Sequence, residues 1–263
     1  MNKWVKKSIE LAHSKGYLDK LFEIYPVEFG EPRMIPNDIK NEIQKAFEEE
    51  NKIKLIEELL KLDKFPINHP YVPSLKRHRF LLLQNPQTVE RISEILFSLG
   101  FDKILELSSQ PKSPSRQLGY SFKQWLRNQR YPFLEESEFK KCSDIAFLEG
   151  SDEKLKKFAK VELKISLTKG VDFILKIKNK FFLGEAKFLT DYGGTQDNQF
   201  REAIKIAKIK KNNIIGIAVL DGIVWFKSNC KMHQTIKSFE GVALSALLLK
   251  EFIKENFTIQ NNS

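Results

Sequence analysis

Gly170-Val-Asp-Phe-Ile-Leu-Lys-Ile-Lys-Asn-Lys-Phe-Phe-Leu-Gly-Glu-Ala-Lys-Phe188 contains two runs rich in Val, Ile, Leu and Phe, residues 171–177 and 181–188, with Lys178-Asn179-Lys180 between them. Branched and aromatic side chains suit a pleated surface, and Asn tolerates the left-handed backbone of a tight turn, so a β-hairpin is predicted. Neighbouring side chains on a strand alternate between faces, so Glu185 and Lys187, two apart, project from the same one. A two-residue turn centred on Lys178-Asn179 sets Asp172 opposite Glu185, and one centred on Asn179-Lys180 sets it opposite Lys187. Either register leaves Asp172 on that same face.

Working outward, residues 196–210 have helical periodicity, residues 214–220 read as a strand, and Asp221-Gly222 before residues 223–226 signals a tight hairpin. A helix over 242–257 follows, its Leu244, Leu247, Leu248 and Phe252 suited to covering a sheet. Upstream, residues 134–164 read as mostly helical with a break at Gly150-Ser151-Asp152, where Ser151 or Asp152 can cap the next segment. A short helix over 121–128 follows a loop at 108–116. Helical patterns also occupy residues 3–15, 38–62 and 88–99, with Pro66, Pro70 and Pro73 as breakers and Gly100 as a stop. The predicted class is α/β, of mixed α+β type: a central mixed sheet flanked by helices, with a helical N-terminal part. Residues 1–105 form that part, as a separate lobe or as a flank of one domain, and residues 106–263 form the core.

The chain has 263 residues, 41% hydrophobic and 30% charged, which supports a folded core without disulfides or structural metal. Cys142 and Cys230 stand far apart, and no apolar run is long enough for a membrane span. The start carries no secretory pattern, so a cytoplasmic protein is expected. His13, His69, His78 and His233 lack ligand spacing, which argues against zinc chemistry. A formal net charge of +10 suits a binder of polyphosphate backbone. NTPase and kinase functions are disfavoured, because neither G-x-x-x-x-G-K-[ST] nor G-x-G-x-x-G occurs.

Two carboxylates beside one ammonium suit phosphodiester hydrolysis. Magnesium prefers oxygen ligands, keeps several waters and can supply a nucleophilic water, and Asp172, Glu185 and the Ala186 carbonyl can provide the protein's share. Lys187 can orient that water and stabilise developing negative charge. Chance alone would yield about six acid-x-base triplets in a chain this charged, so the triplet needs its context. Glu50/Lys52, Glu138/Lys140 and Asp152/Lys154 sit in helix-like, charged surroundings. Glu162/Lys164 could lie on a strand with Val161, Leu163 and Ile165, but no Asp precedes it on a paired apolar strand. Glu185 and Lys187 lie in a run apolar on both faces, where unpaired charge is costly unless it has a use.

Val171-Asp172 and Glu185-Ala186-Lys187, with the strand at 214–220 and the Asp221-Gly222 hairpin, resemble the PD-(D/E)XK nuclease superfamily, and type II restriction endonucleases in particular. The resemblance covers roughly residues 170–226, and Val171 stands where the motif has Pro. It implies a restriction-endonuclease-like fold, Mg2+ as cofactor, Asp172, Glu185 and Lys187 as catalytic residues, and double-strand cuts at a short DNA sequence. A homodimer would match a palindromic duplex site, and a cognate DNA methyltransferase is expected in the same system. A repair nuclease, a junction resolvase and a non-catalytic basic DNA-binding protein are the alternatives.

Further candidates surround this stretch. Tyr192, Gly193, Gly194, Gln196, Asn198 and Gln199 form a polar loop opening a helix, suited to phosphate and base edges, with Thr195 or Asp197 as an alternative cap. Arg116, Lys123, Arg127 and Arg130 flank an apolar stripe of Phe122, Trp125 and Leu126 and are placed for phosphates. Glu135, Glu136 or Glu138 could add a carboxylate to the metal site, or simply complement a helix dipole.

Overall fold

A computed structural model describes residues 1–26, 30–111 and 118–259. The chain divides into two compact units, Met1–Val27 with Pro114–Ser263, and Glu28–Ser113. This differs from a boundary near residue 105. Helices α1 (Lys3–Ala12) and α2 (Tyr17–Phe22) belong with the sheet, because Trp4, Val5, Tyr17 and Leu21 are buried in the sheet's own apolar cluster.

The Glu28–Ser113 unit is helical among its described residues: α3 (Asn37–Glu48), α4 (Lys52–Leu59), α5 (Val72–Arg77), α6 (Leu81–Gln84), α7 (Pro86–Leu99) and α8 (Phe101–Ser109). Ile43, Leu55, Ile56, Leu59, Ile92 and Leu96 form its core. The periodic stretch 38–62 is two helices rather than one. Glu50 takes a left-handed φ of 50°, and the Asn51 side chain caps α4 by accepting from Lys54 N at 3.1 Å. Gly100 ends α7 with φ 79°, as its position suggested.

The sheet unit continues with α9 (Leu118–Arg127), β1 (Phe133–Leu134), α10 (Glu136–Lys141), β2 (Ile145–Leu148), α11 (Asp152–Val161), β3 (Phe173–Ile177), β4 (Lys180–Leu189), α12 (Gly194–Ala207), β5 (Lys210–Lys211), β6 (Ile214–Gly222), α13 (Lys231–Lys237), β7 (Val242–Leu244) and α14 (Leu249–Ile259). The strand order is β1-β2-β3-β4-β6-β5, with β7 also paired to β6. The β2, β3 and β4 strands run antiparallel, whereas β6 is parallel to β4 and reached through α12. Alternate residues go to opposite cores. Phe173, Leu175 and Phe182 join α1, α9 and α14 on one face, while Ile174 and Leu183 join Phe139, Phe158 and Ala159 on the other. The mixed sheet flanked by helices is the expected class.

Three local expectations fail. Residues 134–164 hold helices α10 and α11, but between them Ile145-Ala-Phe-Leu148 is a strand, an apolar run without polar alternation that pairs with β3. Ser151 does cap α11, accepting from Lys154 N. Asp221-Gly222 is no hairpin. The β6 strand lies parallel to β4, Gly222 turns with φ 87°, and Ile223–Trp225 is a 3-10 turn. Asp221 is buried and bonded, so the dipeptide ends a central strand instead of reversing it. The helix expected over 242–257 starts with β7, because Val242-Ala243-Leu244 completes the edge of β6.

Candidate functional site

The hairpin's register is the first of the two considered. Ile177 pairs with Lys180 and Phe173 with Gly184, so the turn is Lys178-Asn179, and Asp172, one residue before β3, would continue that register opposite Glu185. Lys178, rather than Asn179, takes the positive φ, 53°. Asp172 N donates to Gly184 O at 2.9 Å, and its carboxylate accepts from Ala186 N at 2.8 Å. The first acid is thus tied to the backbone of the E-x-K strand. Gly184 allows this close pairing, since a Cβ there would lie 1.9 Å from the Phe173 ring.

The three predicted side chains meet. Lys187 Nζ lies 2.7 Å from Glu185 Oε1 and 3.9 Å from Asp172 Oδ2. Glu185 is only 2% exposed. Burial, followed by the negative charge of Asp172, raises its carboxyl above the usual range, against the pull of Lys187 and Lys169. Both acids therefore crowd one low-dielectric spot with more negative charge than Lys187 alone balances.

Sequence reasoning missed part of the cluster. Lys169 Nζ is 3.1 Å from Glu185 Oε1 and also pairs with Glu202 of α12. Lys123, singled out for phosphate, lies 3.3 Å from Asp172 Oδ1 and 2.7 Å from Asp152 Oδ1. Burial depresses the Lys123 ammonium, but its bond to Asp152 and the charge of Asp172 outweigh this and raise it. No spacing marks Lys169 or Glu202, because their pair is made by packing across 33 residues. Asp152 carried the signals of a helix cap and of a solvated Asp152/Lys154 triplet, neither of which pointed to this cluster.

Other candidates lie elsewhere or are engaged. Glu135 pairs with Lys154 and Glu136 with Lys140; among the described ion pairs, none of Glu135, Glu136 and Glu138 meets the Asp172–Glu185 cluster. Glu162 pairs with Lys140 at the end of α11, and Lys164 has φ 56°, so that triplet is not on a strand. Arg127 grips Glu149 through both terminal nitrogens, at 2.5 and 2.7 Å, and Arg130 is exposed. Arg116 lies outside the described residues. In the loop, Gly193 (φ 87°) is the cap position of α12, so neither Thr195 nor Asp197 caps it. Gln196 bonds Thr190, Tyr192 is exposed with its hydroxyl donating to Ile223 O, and Asn198 is exposed.

The donor set is of oxygen type. Among the described residues no group of three or more His, Cys, Asp or Glu side chains is arranged to hold a metal ion. Two carboxylates nevertheless suit a small hard cation that keeps most of its waters. No described helix is long and apolar enough to cross a membrane.

No curated protein and no solved structure matches the chain. A family model does, that of the Tsp45I type II restriction enzyme, over residues 2–256. With nearly its whole length matched, the chain belongs to the Tsp45I type II restriction enzyme family and is a type II restriction endonuclease, a site-specific enzyme that cuts DNA.

Proposed function

We propose that Asp172, Glu185 and Lys187 are the catalytic centre of this endonuclease, that the centre is of the PD-(D/E)XK type, and that its cofactor is Mg2+. The observation that carries this is the Lys187 ammonium within 2.7 Å of one carboxylate and 3.9 Å of the other, with Glu185 and Lys187 on β4 and Asp172 immediately before the paired strand β3. Asp172, Glu185 and the Ala186 backbone carbonyl would hold the ion. When bound, it supplies positive charge against the phosphate and a water of lowered pKa. Asp172 is oriented by the Ala186 amide, and Lys187 aligns the attacking water and stabilises charge growing on the phosphate oxygens.

Lys123, Arg127 and Arg130 on and after α9, with Tyr192, Gly193, Gly194, Gln196, Asn198 and Gln199 at the start of α12, are the proposed duplex contacts; Arg116 belongs to the same proposal. A homodimer on a palindromic site, a companion methyltransferase protecting that site, and a cytoplasmic setting complete the reading. Membership of a restriction enzyme family sets aside the repair-nuclease, resolvase and non-catalytic alternatives.

The test is incubation of purified protein with plasmid DNA, with Mg2+ or with chelator, and sequencing of the ends. Cuts at one fixed sequence that require Mg2+ are expected. Lys187→Ala and Glu185→Ala should bind DNA yet lose cleavage, by on the order of a hundredfold or more. Near-normal cutting by either variant would refute the assignment.

A further inference from the structure

Each carboxylate of the proposed centre is met by a lysine from elsewhere in the chain, and each of those lysines is held by a second carboxylate. Lys169, just before β3, bridges Glu185 and Glu202. Lys123, on α9, bridges Asp172 and Asp152. A long, partly exposed lysine loses side-chain entropy when held in one place, so a single weak pair rarely fixes it. Two acids on either side of one ammonium do.

The Lys169 arrangement is the more telling, because its target is buried. Glu185 Oε1 carries two ammonium contacts, Lys187 at 2.7 Å and Lys169 at 3.1 Å. Lys187 already supplies the lysine of the motif, so Lys169 is a second positive charge on the same oxygen. Leaving a buried carboxylate short of partners is costly, and any cation placed beside that oxygen relieves the cost. An ammonium and a divalent ion at one oxygen are competitors.

Resting on the reading of Asp172 and Glu185 as metal-binding carboxylates, we infer that Lys169, anchored by Glu202, is a positioning residue that serves as the counter-ion of Glu185 in the metal-free enzyme and competes with the metal for Glu185 Oε1. Metal uptake then shifts Lys169 onto Glu202 alone. Glu202 gives the displaced ammonium a partner 33 residues away in sequence, on the helix that follows the E-x-K strand. The two residues have opposite effects: Lys169 opposes metal binding, and Glu202, by drawing Lys169 away, favours it.

The experiment is calorimetric titration of Mn2+ or Mg2+ into the full-length, DNA-free protein, with melting curves to confirm folding. Lys169→Met should tighten metal binding by roughly two- to fivefold, the scale of a partly exposed ion pair. Lys169→Arg should stay near wild type. Glu202→Gln should weaken binding by a similar factor, because Lys169 then rests wholly on Glu185. A merely structural role would weaken binding in both Lys169→Met and Glu202→Gln. Binding in Lys169→Met that is unchanged or weaker overturns the inference, as does absence of metal uptake in both wild type and Lys169→Met. The metal reading itself is judged separately, by whether Asp172→Ala abolishes Mg2+-dependent cleavage.

Discussion

The hydroxyl of Tyr25 donates to the buried carboxylate of Asp221 at 2.8 Å, joining residues 196 apart in sequence. Ser245 Oγ, Ala246 N and Tyr17 Oη converge on the same carboxylate at 2.5, 3.1 and 3.4 Å. Asp221 is the penultimate residue of β6, opposite Phe188 of β4, whose ring Tyr25 meets edge-on at 5.0 Å. Tyr25 also stacks on Phe122, the neighbour of Lys123. One acid thus fastens the segment after α2 to the strand ends beside the proposed catalytic cluster.

Removing that hydroxyl while keeping the ring isolates its contribution. Tyr25→Phe should lower unfolding free energy by about 1–3 kcal/mol, the usual penalty for depriving a buried polar group of its partner. Thermal melting reads this directly, at about 2–4 °C per kcal/mol for a chain of this size. An unchanged melting temperature would mean that the bond is not part of what holds the segment.

Asp221 should also make stability depend on pH. Burial pushes its carboxyl up to about 7, although Ser245, Tyr25, Ala246 and Tyr17 pull the other way. The folded chain then holds this proton more tightly than the unfolded chain does. Stability from the protonated acid is complete below pH 3.8 and is lost as pH rises towards 7, by roughly 1.4 kcal/mol per pH unit at most. Asp221→Asn cannot titrate, so its stability relative to wild type should improve from pH 4.5 to 7 and then level off. Urea unfolding at four pH values checks this; parallel curves for the two proteins would sink it.

Gly184 offers a test of packing. A Cβ at this position would lie 1.9 Å from Phe173 Cζ, and that ring is itself set between Phe122 at 6.3 Å and Phe147 at 5.7 Å. Overpacking of this kind costs about 1–3 kcal/mol. Gly184→Ala should therefore destabilise the fold and, by parting Asp172 from the strand that carries Glu185, also slow cleavage. Adding Phe173→Leu should recover part of the lost stability. A neutral Gly184→Ala would show that the strands are not in this register.

The hairpin was readable from sequence because its information is local: an apolar run, a polar turn and a period of two already place Asp172, Glu185 and Lys187 on one face. The mixed sheet flanked by helices followed from the same periodicities. What escaped depends on distant partners. Ile145-Ala-Phe-Leu148 is a strand because β3 lies beside it, and four apolar residues look alike in either state. Asp221-Gly222 has the composition of a turn, yet two tyrosines from the N-terminal segment make Asp221 a buried acceptor. Lys169 and Glu202 join the cluster only because α12 packs against β4.

Asp172 separates geometry from charge. Its carboxylate accepts from Ala186 N at 2.8 Å, and an Asn oxygen can accept the same bond. Asp172→Asn should therefore keep the hairpin and melt close to wild type, whereas Asp172→Ala loses the bond as well. Either substitution removes the negative charge that Lys123 and Lys187 face at 3.3 and 3.9 Å. Both ammoniums are then freer to meet phosphate, so metal-free DNA binding should tighten, with a steeper dependence on salt. Cleavage in Mg2+ should fall by on the order of a thousandfold in both variants, since the oxygen lost is one proposed to hold the ion. Gel-shift titrations at two salt concentrations, run beside plasmid cleavage, measure both effects. Weaker DNA binding in Asp172→Asn would show that this carboxylate does not restrain the lysines, and surviving cleavage would show that it does not serve the metal.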